Sequence, residues 1–292
     1  MIYRALGNTG YRISAVMYGG IVSMNDAQPN SDRYVAWAVD RGVNYFDVAP
    51  SYGDAQEKLG NSLRSRRKDV YLACKTGQRL RADAEAEMFR SLELLHTDYF
   101  DVYQMHALST PRDINLAFGP GGVMEMMSRV KQEGLVRRLG ITCHSEKAAL
   151  RAIELYDFDS VLFPFNWHMN LAHGMGNRLI KAAKERDMGV LAMKQLIERA
   201  WTDGDEAMRA RFPKSWCKPI DPENVPLRLA AMKYTLSLGP DILIPPGDFE
   251  NFSFAVEHIR ECLENPLTED DLAFLRENLE RVKDHPFFPV EE

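Results

Sequence analysis

The chain has 292 residues, a mass of 33.3 kDa, a formal charge of -6 and a pI of about 5.7. That length suits a single barrel domain over residues 1–292. The acidic balance argues against nucleic acid as a partner, and no apolar run approaches the roughly 18 residues of a membrane span. Four cysteines, Cys74, Cys143, Cys217 and Cys262, show neither CxxC nor metal spacing, and the N-terminus has no basic region ahead of an apolar core. The expectation is a reduced, soluble, cytoplasmic protein without a metal.

In chain order, residues 1–11 read as two extended pieces around the turn Gly7-Asn8-Thr9-Gly10, a hairpin over the barrel bottom. Short apolar runs then alternate with amphipathic segments, predicting strands at 13–19, 44–49, 70–75, 99–105, 136–142, 160–165, 189–194 and 241–245. Helical spacing lies between them at Leu59/Leu63, Met88/Leu92/Leu95, Val123/Met127/Val130, Leu179/Ala183 and Leu229/Met232/Leu236. Ser31 and Asp83 read as N-caps, and Pro226 suits a first helical turn. The basic run Arg64-Ser65-Arg66-Arg67-Lys68 reads as a solvated helix end. Gly119-Pro120-Gly121-Gly122 falls in a long loop after the fourth strand, where mobility would gate entry. Residues 197–222 form a polar insertion after the seventh strand, and Thr268-Glu269-Asp270-Asp271 opens a last helix with a capping box. Eight βα units predict an α/β fold of the (β/α)8 TIM-barrel class, with an N-terminal hairpin and an extra C-terminal helix.

Three successive strands end in chemically active side chains: Asp47, Lys75 and His106, with Tyr52 five residues after Asp47. In such a barrel these positions converge at the C-terminal face. A tyrosine is a poor acid near neutrality unless a cation stabilises its phenolate. Lys75 is that cation, Asp47 its counter-charge, and His106 a hydrogen-bonding partner for a substrate oxygen. The quartet handles a proton at a carbonyl or alcohol oxygen but holds no nucleophile or metal cluster, so a hydride must come from a cofactor.

Here the residues resemble the aldo-keto reductases. Tyr3-Arg4-Ala5-Leu6-Gly7-Asn8-Thr9-Gly10 is similar to their opening hairpin, and residues 42–53, from Gly42-Val43-Asn44-Tyr45-Phe46-Asp47 to Ser51-Tyr52-Gly53, to their first signature. Asp98 through His106 and Val136 through Thr142 continue the likeness, which covers about residues 1–260. The resemblance implies NAD(P)H bound across the barrel mouth and interconversion of an aldehyde or ketone with an alcohol, with Tyr52 as proton donor and Asp47, Lys75 and His106 assisting. It also implies cofactor contacts from the strand ends.

Those positions hold Gly19, Gly20, Thr142, Cys143, His144, Asn166, Met193, Lys194, Gly247, Asp248 and Glu250. Thr142-Cys143 stands where relatives usually carry Ser-Asn, and Leu162 where they carry Gln, so His144 and Asn166 are the substitutes for the amide contacts. Lys194 is the pyrophosphate candidate, and Met193 replaces a stacking aromatic. After the eighth strand, Asp248 and Glu250 occur with no Lys or Arg between Lys233 and Arg260, which predicts tolerance of, or preference for, NADH. Trp167, Trp201 and Trp216 are candidates for lining a pocket, alongside Tyr18 and Phe118. The expected partner is a small carbonyl or alcohol substrate. The rival reading is a catalytically weak nucleotide-binding barrel that acts as a sensing or regulatory subunit.

Overall fold

A computed structural model describes residues 1–290. Its first elements are β1 (Tyr3–Ala5) and β2 (Arg12–Ser14), paired antiparallel with Arg4 opposite Ile13. The hairpin expected within 1–11 therefore returns on residues assigned to the first barrel strand. That strand is shorter in consequence, with β3 covering only Tyr18–Gly19. The others are β4 (Tyr45–Asp47), β5 (Tyr71–Thr76), β6 (Phe100–Leu108), β7 (Val136–Cys143), β8 (Ser160–Phe163) and β9 (Gly189–Met193). After β9 come β10 (Ile197–Arg199) and β11 (Lys218–Pro219), and last β12 (Ile242–Ile244).

Strands β3 to β9 and β12 run parallel in one eight-stranded sheet, each beside its sequence neighbour among the barrel strands. The sheet closes through residues 15–17: Leu243 N donates to Ala15 O at 2.9 Å and Met17 N to Leu243 O at 3.0 Å. Alternation puts every second side chain inside. Leu6, Ile13, Met17, Tyr45, Ala73, Val102, Leu162, Leu191 and Ile242 form that interior cluster, with Leu6 of the hairpin packed in from below. The larger cluster lies between sheet and helices, where Val35, Leu59, Met88, Met127 and Leu179 meet the outward faces of the strands.

The helical spacings hold in helices Ala55–Leu63, Arg81–Leu94, Val123–Gln132, Asn177–Lys184 and Val225–Leu238, and Pro226 lies in the first turn of the last of these. The closing helix Glu269–Leu279 has the expected capping box from Thr268 and Asp271. Two caps fall elsewhere. Ser31 is inside helix Gln28–Asp40, fully buried, its hydroxyl donating to Ser23 Oγ at 2.8 Å; Asp83 is the third residue of a helix that starts after Leu80 without a side-chain cap. Proline at position 29 starts the first of these helices early, so the serine serves packing instead.

Arg67 also departs from the solvated reading. It is buried and donates to Thr97 Oγ1, Val70 O, Tyr99 O and Asp101 Oδ2, tying the floor of β5 to that of β6. The glycine cluster is no long loop: a helix, Pro111–Phe118, follows β6, and the glycines make a tight link to the next one. A Cβ on Gly122 would stand 2.4 Å from Leu116 O and Ala117 O. None of the described helices is long and apolar enough to cross a membrane.

Candidate active site

The register of three neighbouring strands assembles the site. Asp47 ends β4 opposite Ala73, and Lys75 lies two residues further along β5, so both face inward at the same end of the barrel. Lys75 Nζ donates to Asp47 Oδ2 and, at 3.3 Å, to Val48 O, with both side chains fully buried. Burial opposes the ammonium, yet Asp47 and Tyr52 outweigh it and hold Lys75 above its ordinary value.

Tyr52 comes back over this pair through a turn in which Tyr52 N donates to Ala49 O at 3.1 Å. The next residue, Gly53, has φ +53, and a Cβ there would stand 2.9 Å from Asn25 Oδ1, so both its conformation and its surroundings require glycine. Lys75 Nζ lies 5.4 Å from the Tyr52 ring centre. The phenol is nonetheless raised above its ordinary pKa, because burial outweighs the pull of Lys75. Lys75 thus acts in the expected direction on the phenol, but burial acts more strongly.

His106 lies before the end of β6 rather than closing it, next to a register shift between Met105 and Leu108 at which Ala107 takes φ +52. The irregularity turns the imidazole edge-on to Tyr52, with ring centres 5.7 Å apart. Burial, then Lys75, His144 and Arg79, pushes its pKa down to about 3, so it is neutral near pH 7. Two neighbours escaped the sequence reading: Ser51 Oγ is 3.5 Å from His106 Nδ1, and Arg79 Nη2 donates to His106 O at 2.7 Å while paired with Asp113. Nothing in the spacing of Arg79 marks it in advance.

The cofactor candidates sort differently. Gly19, Gly20 and Gly247 give close backbone approaches; a Cβ on Gly20 would stand 2.7 Å from Val48 Cγ2 and one on Gly247 2.3 Å from Ile21 Cγ2. Thr142 Oγ1 already accepts from Ala107 N at 2.8 Å, and Cys143 is buried. Asn166 is saturated: its amide donates to Lys194 O and Ile197 O, and its oxygen accepts from His168 N and Met169 N. It caps helix Trp167–His173 and has no hydrogen-bonding capacity left for a ligand, which corrects its assignment as an amide contact. His144 stacks on Phe288 at 4.5 Å, and burial with Lys194 lowers it to about 4.

Met193 and Lys194 line a cleft with Ile21, Tyr52, Trp216 and Gly247. The Lys194 ammonium lies 5.3 Å from the Trp216 ring and 5.6 Å from Phe288, and among the described residues no carboxylate reaches it within 4 Å. Burial lowers its pKa.

The insertion folds over this cleft as the β10–β11 pair and helix Glu206–Arg211. Of the two acids that the sequence left unopposed, Glu250 is answered by Arg211, which forks onto it at 2.6 and 3.2 Å; Lys214 Nζ of the insertion reaches Asp26 Oδ2 at 2.6 Å. Asp248 Oδ2 and Asn251 Nδ2 keep no protein partner among the described residues, and burial raises Asp248 to about 6. Of the aromatic candidates, Trp216 is at the mouth, exposed, 6.0 Å from Tyr52. Trp167 and Trp201 instead donate to Ile197 O and Ser215 O, while Tyr18 and Phe118 pack against Phe46 and Phe158.

The model of the Aldo/keto reductase family matches residues 18–234. The chain belongs to that family. Among curated relatives, an uncharacterized oxidoreductase of Bacillus subtilis is 27% identical over 177 residues, covering 56% of each chain. L-galactose dehydrogenase of Arabidopsis thaliana is 33% identical over 159 residues, 48% of this chain and 47% of that one, so the chain spans about half the length of these relatives. D-threo-aldose 1-dehydrogenase of a Pseudomonas species is 24% identical over 226 residues, covering 64% and 67%. In structure, the holo form of aldo-keto reductase AKR11C1 from Bacillus halodurans superposes with a TM-score of 0.72 over 95% of this chain and 96% of that one, at 20% identity. That likeness is one of fold.

Proposed function

We propose that the protein is an NAD(P)-dependent oxidoreductase that interconverts a carbonyl and an alcohol, with Tyr52 as the proton donor. The observation that carries this reading is the convergence of Tyr52 and His106 on a fully buried Lys75–Asp47 pair at one end of the barrel. What supports a dinucleotide in the cleft beside them is the Lys194 ammonium in its lining, which no carboxylate reaches among the described residues, with Gly247 in the same lining and partnerless Asp248 Oδ2 next in sequence. Lys194 would hold the pyrophosphate, and Gly247, Asp248 and Asn251 the adenosine end. The nicotinamide, when bound, supplies the hydride.

Tyr52, protonated, donates to the substrate oxygen. Neutral His106 hydrogen-bonds the same oxygen and fixes its direction, Lys75 stabilises the phenolate as the proton leaves, and Asp47 keeps the ammonium charged and aimed. Discrimination against NADH is expected to be weak, because Arg211 and Lys214 are already neutralised by Glu250 and Asp26.

One observation favours a weaker catalyst that mainly binds nucleotide: Asn166 and Thr142, where amide contacts are expected, are engaged by backbone. A fluorescence titration with NADH and NADPH, followed by a carbonyl panel that includes sugars, tests both readings. Cofactor bound and oxidised supports the enzyme, cofactor bound and never oxidised the sensor, and no binding refutes both.

A further inference from the structure

Below the candidate site, the barrel interior carries a row of polar positions that the proposed chemistry does not use. Register makes the row: Lys75 pairs with Gln104, Gln104 with Gly140, Gly140 with Ser160, and Ser160 with Gly189. Because the strands tilt, it descends from the fifth residue of β5 to the first residues of β8 and β9, from the catalytic end to the floor.

Gln104 and Ser160 are fully buried, and Gln104 Oε1, Gln104 Nε2 and Ser160 Oγ have no hydrogen-bond partner among the described residues. Asp47 Oδ1 and the hydroxyl of Tyr45, another interior residue, are also partnerless. The point where a Cβ of residue 140 would stand is 2.6 Å from Ser160 Oγ and 3.1 Å from Gln104 Cγ, so the two side chains converge over Gly140 without bonding each other. Buried polar groups left like this are costly, and ordered water is the usual partner of such groups where there is room for it.

We propose that ordered water bridges Gln104 and Ser160 over Gly140 and forms an internal proton path from the barrel floor to Lys75, with Gln104 as its positioning residue. The role in turnover rests on the carbonyl-reduction reading above. Each reduction consumes one proton along with the hydride of a reduced nicotinamide nucleotide. The Tyr52 O–H bond breaks toward the substrate oxygen, a Lys75 N–H bond recharges the phenolate, and the amine takes a proton from the adjoining water. That water is recharged through the Ser160 hydroxyl and, at the floor, from solvent. Ser160 follows Asp159, which lines an open cleft there with Asn8 and Arg186. A floor route suits a mouth over which Trp216 and Phe288 already stand.

A high-resolution crystal structure of the wild-type protein tests the site without reference to activity. Density for water within hydrogen-bond distance of Gln104 and Ser160 is expected, and an empty or collapsed contact overturns the proposal. The path is tested with Gln104→Met. Turnover should fall about tenfold or more with KM for the carbonyl within about twofold, the solvent deuterium isotope effect on kcat should increase, and Gln104→Asn should restore part of the rate. A Gln104→Met enzyme with unchanged kcat and isotope effect, and a raised Tm from removal of an unpaired amide, overturns the path.

Discussion

The two halves of the barrel mouth use the same kinds of side chain in opposite ways. On β4 to β6 the polar groups face one another and the substrate space: Lys75 answers Asp47, Tyr52 lies over Lys75, and His106 stands edge-on to Tyr52. On β7 to β9 they hold backbone, Thr142 the bulge at Ala107 and Asn166 the strand end at Lys194. The ammonium of Lys194 is left without a carboxylate. A proton-transfer site needs fixed partners, and strand register supplies them; a ligand-holding site needs groups kept unpaired until the ligand arrives, and loops supply those.

Four experiments break or sharpen this contrast. The largest effect is expected on the paired side. Tyr52→Phe should keep the fold and cofactor affinity and lower turnover by about two to four decades, the usual size of a general acid contribution; single-turnover kinetics with bound cofactor would show it. Lys75→Met strands a buried carboxylate and should cost about 3–5 kcal/mol in denaturant unfolding, with Lys75→Met/Asp47→Leu recovering part of that. A double variant no more stable than the single would show that the pair is better hydrated than its burial indicates.

On the unpaired side, Lys194→Met should weaken NADH and NADPH alike by about tenfold to a hundredfold, the worth of one charge-assisted contact, while leaving their ratio within about tenfold. Isothermal titration of both cofactors at one ionic strength reads the ratio, and NADPH favoured beyond that would show that Arg211 or Lys214 leaves its acid for the 2'-phosphate.

The last experiment concerns pH. The imidazole of His106 is pushed down to about 3 in the fold, against about 6.5 when unfolded. Between those values the unfolded chain binds the extra proton, so stability falls as pH drops through that window, by at most about 1.4 kcal/mol per pH unit. His106→Phe should flatten the acid limb of a plot of unfolding free energy against pH, and an unchanged slope would mean that folding leaves the titration of the ring where it is in the unfolded chain.

The quartet was legible because each residue closes or nearly closes an apolar run, and a barrel turns strand ends into neighbours. His106 was placed by that logic even though β6 continues past it; the bulge at Ala107, which a run of hydrophobic residues does not announce, changes its direction and not its position. The cofactor side was less legible because its charges pair across the chain. The stretch after β12 reads as acidic only until Arg211 meets Glu250, a partner 39 residues away in sequence. Asn166 misled for a local reason. An Asn followed by a short helix is a cap, and a cap spends its side chain on its own backbone.

The insertion is fastened over the cleft by two ion pairs that water reaches: Arg211 and Glu250 are each about two-fifths exposed, Lys214 and Asp26 less so. Bonds of that kind soften as salt rises, whereas the hydrogen-bonded barrel beneath does not. The cleft therefore has a latch whose tension is set by the surrounding electrolyte. Ligand exit should quicken with ionic strength while the chemistry beneath keeps its pace, which makes dissociation rate against salt the most direct view of the strap at work.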